Sequence, residues 1–384
     1  MAPAGVVAGE PAAAGGEVTS ATGAAARAVN CGQVITRTTR LRADVGPCSG
    51  DGVVIGADGI SLDLNGHRIF GTPGPGDGQQ AGVRLPSRTG VTVRNGTVSD
   101  FDAGVVLDRG QDNTVTGLTV SDNRGPDDLF LTAELGDGII LLNSAANSII
   151  DNVVTNNGVY DGIGALGPDA DDNVISGNTV TDTVGPSSGD QLGQCIVVNA
   201  AGLATAEGRV IVGTRIEDNL VRGNASAGIA NVNNVDAQIL RNVVEGNGLE
   251  NLGNGIGLQL GPDAEATGTR ALVQDNEVHG NGLDGIHVQI RASENLIIDN
   301  NAADNDVLDL SYIDAYDLHD LNPRCDSNTW KGNTWGSGSY FPRCTAIGGT
   351  GPARGLAAFI IGSLSLAQAD VLPPARRFRS APVA

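Results

Sequence analysis

A Gly-Ile or Gly-Val step recurs down the chain: AGVRL at 81, AGVVL at 103, DGIIL at 137, DGIGA at 161, QCIVV at 194, AGIAN at 227, NGIGL at 254 and DGIHV at 284. Successive steps lie 22, 34, 24, 33, 33, 27 and 30 residues apart. The shortest interval sets a unit of about 22, and the excess falls in Gly/Pro/Asp-rich insertions. A second signal runs in phase. Asparagines lie five apart at Asn152 and Asn157, Asn219 and Asn224, Asn242 and Asn247, Asn276 and Asn281, Asn300 and Asn305, and Asn328 and Asn333, around short apolar pairs such as NVVTN and NLVRG.

A coil of about 22 residues fits three short strands joined by tight turns, each alternating inward and outward. Valine and isoleucine fill the inside. Asparagine tolerates the left-handed backbone of a turn, and its amide can bond to the amide one coil away. Stacked coils bury a continuous core that no single coil could. The prediction is an all-β parallel β-helix of about ten coils over residues 50 to 340. Asn219, Asn242, Asn276 and Asn300 are expected to form one ladder, with about 5 Å between coils.

The residue after each Gly-Ile or Gly-Val step should point outward, as should the next but one. In the middle coils these positions include Ile140, Leu142, Leu166, Val197 and Val232. Such an apolar stripe needs a cover. The covering segments are expected to be 127–135 (DDLFLTAEL) or 355–367 (GLAAFIIGSLSLA), or a partner chain.

Composition narrows the function. The chain has 384 residues and a net charge of −21, with Lys331 its only lysine. That field repels phosphate and no basic stripe appears, so nucleic acid is excluded as a partner. The apolar run at 355–367 is too short to span a bilayer. With Arg376, Arg377 and Arg379 behind it, it hints at membrane contact, but docking on the β-helix is the stronger reading.

Cys31 with Cys48, and Cys325 with Cys344, read as two disulfides closing the ends of the solenoid. Cys195 stands where seven of the eight steps have glycine, and reads as a small packing residue. Two disulfides imply an extracellular or cell-envelope location. No signal peptide is visible in residues 1–30, which read as a disordered leader. The expected organisation is a leader at 1–30, a capped β-helix at 31–344 and a partly docked tail at 345–384.

The segments CGQVITRTTRL…CSGDGVVIGADGISLDLNGHRIFG (31–71) and DLHDLNPRCDSNTWKGNTW (317–335) resemble the opening and closing segments of bacterial exported proteins with a pectate-lyase-like right-handed parallel β-helix. The resemblance covers most of residues 31–344 and implies the right-handed form. It also implies a role in binding or modifying glycans, as a polysaccharide lyase or glycoside hydrolase or as a non-catalytic surface module. The fold alone does not choose between them. No catalytic motif of that group stands in this sequence.

Candidate site residues come from side-chain chemistry instead. The residue before each step forms a column, in which Asp137 and Asp161 occupy adjacent coils. Glu134 and Asp190 lie in insertions beside them. Crowded carboxylates form an acid/base pair or hold a cation such as Ca²⁺; the plainer reading is that Asp-Gly makes a good turn. Asp169, Asp171 and Asn173 have the alternating oxygen spacing of a Ca²⁺ loop, without its glycine. The histidines look scattered, with His287 outward on a strand and His319 in a closing loop. A third function is an enzyme acting on an apolar metabolite at the stripe.

Overall fold

A computed structural model describes residues 26–74, 78–126, 135–186, 193–200, 208–310, 315–323, 327–336, 338–340 and 347–350. The architecture is a parallel β-helix. One long sheet contains twelve strands, from Gln33–Ile35 to Ser339–Tyr340, each pairing in parallel with the strand one coil away. Every Gly-Ile and Gly-Val step lies on this sheet. The register is exact from coil to coil: Val83 faces Val105, Val105 faces Ile139, and Ile139 faces Ile163.

The other walls form a 20-stranded sheet. Thr92–Ser99 and Thr114–Ser121 run through a bend as single strands. In later coils each splits into two three-residue strands, such as Ser148–Ile150 and Val153–Thr155.

Asparagine sits at these bends. The side-chain amides of Asn152, Asn178, Asn219, Asn242, Asn276, Asn300 and Asn333 form one continuous ladder, each Nδ2 donating to the next Oδ1 at 2.9–3.0 Å. The four expected members are among them. A parallel ladder runs Asn224, Asn247, Asn281 and Asn305. A third, shorter one joins Asn113, Asn147 and Asn173, and Asn295 and Asn328 continue the same edge further on. Asn328 and Asn333 therefore lie one edge earlier than the other pairs. The left-handed residue is not the asparagine but the one before it: Asp151, Gly177, Asp218, Arg241, Asp275 and Asp299 have φ of 52–66°. That residue turns the chain, and the asparagine then points inward to tie the coils together.

The core is a column of Val, Ile and Leu inside the coils. The step glycines let the walls approach closely. A Cβ on Gly138 would come within 2.6 Å of Gly162 O and of Val154 Cγ1. Cys195 fills one of these slots, with Sγ 3.4 Å from Val180 O. Burial raises its thiol pKa well above normal, which leaves it an unreactive packing group.

The stripe is not exposed. Ile140, Leu142, Leu166, Val197 and Val232 are all buried, and Leu135 packs into the same cluster. Residues 127–134 and 355–367 lie outside the described residues. Cys31 and Cys48 form a disulfide, whereas Cys325 and Cys344 lie outside the described residues. Two short strands extend the solenoid past the expected boundaries: Ala26–Arg27 pairs with Thr39–Leu41, and Ile347–Thr350 with Thr329–Trp335. The rest of the leader and tail is outside the described residues. Among those described, no helix is long and apolar enough to cross a membrane.

Candidate functional site

The outward column of the long sheet changes character along its length. Through Val106, Ile140, Val197 and Ala230 it is apolar and buried. It then passes through Gly257 to His287, His319 and Tyr340, one per coil. The column two residues ahead of each inward Ile or Leu places Asp284 and Tyr316 beside them. These five side chains form the candidate site.

His287 Nδ1 lies 2.5 Å, and His319 Nδ1 2.9 Å, from the same atom, Asp284 Oδ2. The other carboxylate oxygen, Oδ1, accepts the Tyr316 backbone N–H at 2.6 Å. The two imidazoles meet edge-on at 5.3 Å between centroids, and His319 is also edge-on to Tyr316 and Tyr340. Tyr316 and Tyr340 stack at 5.6 Å. Asp284 is buried, which favours its neutral acid. The His319 charge and the hydrogen bonds from both rings outweigh this and hold its pKa at about 2.

With Nδ1 of each ring turned to the carboxylate, Nε2 is on the side away from it. His287 and Tyr340 keep part of their surface in solvent. Gly257 adds no side chain to the column next to His287 and is itself buried. A Cβ built there would meet only Gln259 Nε2, at 3.8 Å. The arrangement offers two imidazoles for proton transfer, an anchored carboxylate and an aromatic pair.

The sequence-derived candidates fare differently. Asp137 and Asp161 do occupy adjacent coils and turn toward one spot, since a Cβ on Gly164 would lie 3.7 Å from Asp137 Oδ1 and 3.1 Å from Asp161 Oδ2. Both are buried, in the stretch of sheet whose outer column is the covered apolar stripe. Asp137 Oδ1 accepts the Asp161 backbone N–H at 3.2 Å. The same contact recurs from Ala81 N–H to Asp51 and from Asp284 N–H to Asn254, so a polar residue in this column fastens the next coil. Glu134 and Asp190 lie outside the described residues.

Asp169, Asp171 and Asn173 do not form one coordination sphere. Asp169 pairs with Arg209 at 2.6 Å, and Asp171 accepts the Val212 N–H at 2.8 Å. Asn173 faces inward, its Oδ1 taken by two donors from Asn147. Of the remaining histidines, His67 meets Asp44 and His279 meets Glu277 at the surface.

Sequence reading separated His287 from His319 because it placed His319 in a loop. Leu318–Asp320 is a strand of the long sheet. The available signal was the parallel between DGIHV at 284 and YDLHD at 316, in which Asp replaces the step glycine and Leu the isoleucine.

Comparison with known proteins agrees with this architecture. The family described as "Right handed beta helix region" matches residues 51–244. No curated protein matches the chain. Among solved structures, pectate lyase Pel9A has a TM-score of 0.51 at 14% identity, over 92% of this chain and 90% of its own. The A-module of Azotobacter vinelandii mannuronan C-5 epimerase AlgE6 has a TM-score of 0.50 at 15% identity, over 86% and 91%. The Dettilon tailspike protein has a TM-score of 0.45 at 15% identity, over 84% of this chain, which spans 61% of the tailspike's length. At these identities the likeness is one of fold.

Proposed function

The chain belongs to the right-handed β-helix family, and from that premise we propose that it binds and modifies a glycan at the C-terminal end of its long sheet. The observation that carries this reading is the convergence of His287 and His319 on one buried carboxylate beside a tyrosine pair. A sugar ring needs an aromatic face and hydrogen-bonding groups along its rim. Tyr340, Gln259 and the two imidazoles supply both.

The chemistry of this centre in its metal-free form is proton transfer. Asp284 holds the rings in the tautomer with Nδ1 protonated, leaving Nε2 to take or give a proton at a sugar carbon or oxygen. Such a pair serves a polysaccharide lyase or a hydrolase equally. Pectate lyase and mannuronan epimerase, with which the fold is shared, support a carbohydrate substrate by analogy of fold. The Cys31–Cys48 disulfide supports an extracellular or cell-envelope site of action.

The test is a panel of polysaccharides incubated with the full chain, scored for new reducing ends and for unsaturated products. His287→Ala and His319→Ala should each lower turnover about 100-fold or more. Asp137→Asn should leave the rate close to the parent. If no glycan is bound or altered, or if both histidine variants stay fully active, the reading fails. Glycan binding without turnover would make the protein a carbohydrate-binding module.

A further inference from the structure

We propose that Asp284, His287 and His319 form a binding site for one divalent transition-metal ion of the Zn²⁺ type. One donor atom from each residue lies within 4.8 Å of the other two, and no other group of three His, Cys, Asp or Glu side chains among the described residues meets this condition. The donors come from two adjacent coils whose register is fixed by backbone pairing, with His287 directly opposite His319. The set is therefore assembled by the fold before any ion arrives.

Three features mark it as more than a hydrogen-bonded cluster. Two ring nitrogens crowd one carboxylate oxygen at 2.5 and 2.9 Å, so a single cation close to all three would satisfy them together. The Tyr316 N–H on Oδ1 orients the carboxylate, as outer-shell partners do in metal centres. The carboxylate and His319 are buried while His287 is only partly so. Three protein ligands, rather than the four of a structural site, are the pattern of a catalytic zinc site.

The donor types set the selectivity. Two imidazole nitrogens and one carboxylate favour Zn²⁺, Co²⁺, Ni²⁺ or Cu²⁺, whereas Ca²⁺ requires six to eight oxygens. A +2 ion against one carboxylate leaves a net local charge of about +1, in a protein whose overall charge is −21. The inference shares its location with the glycan reading but does not depend on it. On binding, the proton of each ring would move from Nδ1 to Nε2, so that a neutral imidazole presents Nδ1 to the ion. The loaded centre would then act as a Lewis acid, and the metal-free one by proton transfer.

The experiment is titration of the EDTA-treated, dialysed full chain with Co²⁺, followed by its visible d–d absorption and by calorimetry, with Zn²⁺ and Ca²⁺ as competitors. One equivalent of Co²⁺ should bind. Zn²⁺ should displace it and millimolar Ca²⁺ should not. His287→Gln and His319→Gln should weaken binding by about 100-fold or more, since losing an outer-shell partner alone costs up to about that much. Circular dichroism checks that each variant is folded. His287→Gln decides the matter if the more buried His319→Gln does not fold. Absence of saturable binding, or binding unchanged in folded His287→Gln, overturns the proposal. Metal uptake without any glycan activity would leave this inference standing and remove the glycan reading. Glycan turnover with no Co²⁺ uptake would do the reverse.

Discussion

Asp317 and Asp320 show how single residues end a repeat. Along the ladders each asparagine passes its hydrogen bonds to the next, with Thr183 standing in the slot between Asn157 and Asn224. At the last described turn of one ladder, Asp317 takes that role, its Oδ1 accepting the Asn305 N–H and Nδ2 at 3.0 Å each. Asp320 collects four donors at 3.0 Å: Asn322 N–H and Nδ2 on Oδ1, and Asn328 Nδ2 and Trp330 Nε1 on Oδ2. A buried carboxylate is tolerable here because donors saturate it. Asp320→Asn would set an amide N–H₂ against two other donors. It should destabilise the C-terminal coils by about 2–4 kcal/mol. Denaturation followed by Trp fluorescence reads this directly, since Trp330 is one of the donors. A change below about 0.5 kcal/mol would mean that Asp320 is not the hub the geometry indicates.

At the scale of the element, the ladder asparagines should matter more than any exposed strand residue. Asn276 accepts from Asn242 N–H and Nδ2, and gives its Nδ2 to Asn300, Ile239 O and Gln274 O. Asn276→Ala should cost about 2–4 kcal/mol, because it orphans buried donors and acceptors on two neighbouring coils. Val153→Ala on an exposed strand face should cost far less, and equal effects in denaturant melts would count against the ladder as a stabilising element. The ladder was legible in the sequence because asparagines five apart recur in phase with short apolar pairs. The left-handed position was assigned one residue late, since Asp and Asn share the same turn chemistry. The long-sheet strands were legible at eight steps, including the one with Cys195 in the glycine slot, and were missed at Val53–Ile55 and at Leu318–Asp320, where Asp317 replaces the glycine. The candidate site was lost with that strand. Its three residues are 3 and 32 apart in sequence, and only coil register across the intervening insertion brings them together.

A solenoid has no contacts between distant coils, so its stability is a chain of neighbour interactions and its ends are its weakest points. The Cys31–Cys48 bond closes a loop of 17 residues at the first coil, around Gln33–Ile35 and Thr39–Leu41. On the chain-entropy model that closure is worth about 3 kcal/mol. In a globular domain such a gain would spread over the whole cooperative unit. Here it should stay near the N-terminal end. The double variant Cys31→Ala, Cys48→Ala should therefore speed amide exchange in the strands Gln33–Ile35 and Val53–Ile55, while protection at Val273, Val278 and Ile286, many coils away, stays as in the parent. The paired substitution is a cleaner probe than a reducing agent, because it leaves every other cysteine untouched. If protection fell equally along the whole sheet, the coils would be unfolding as one unit and the nearest-neighbour account would be wrong. If it fell nowhere, the first coil would be held by its parallel pairing alone, and the disulfide would contribute nothing measurable to stability.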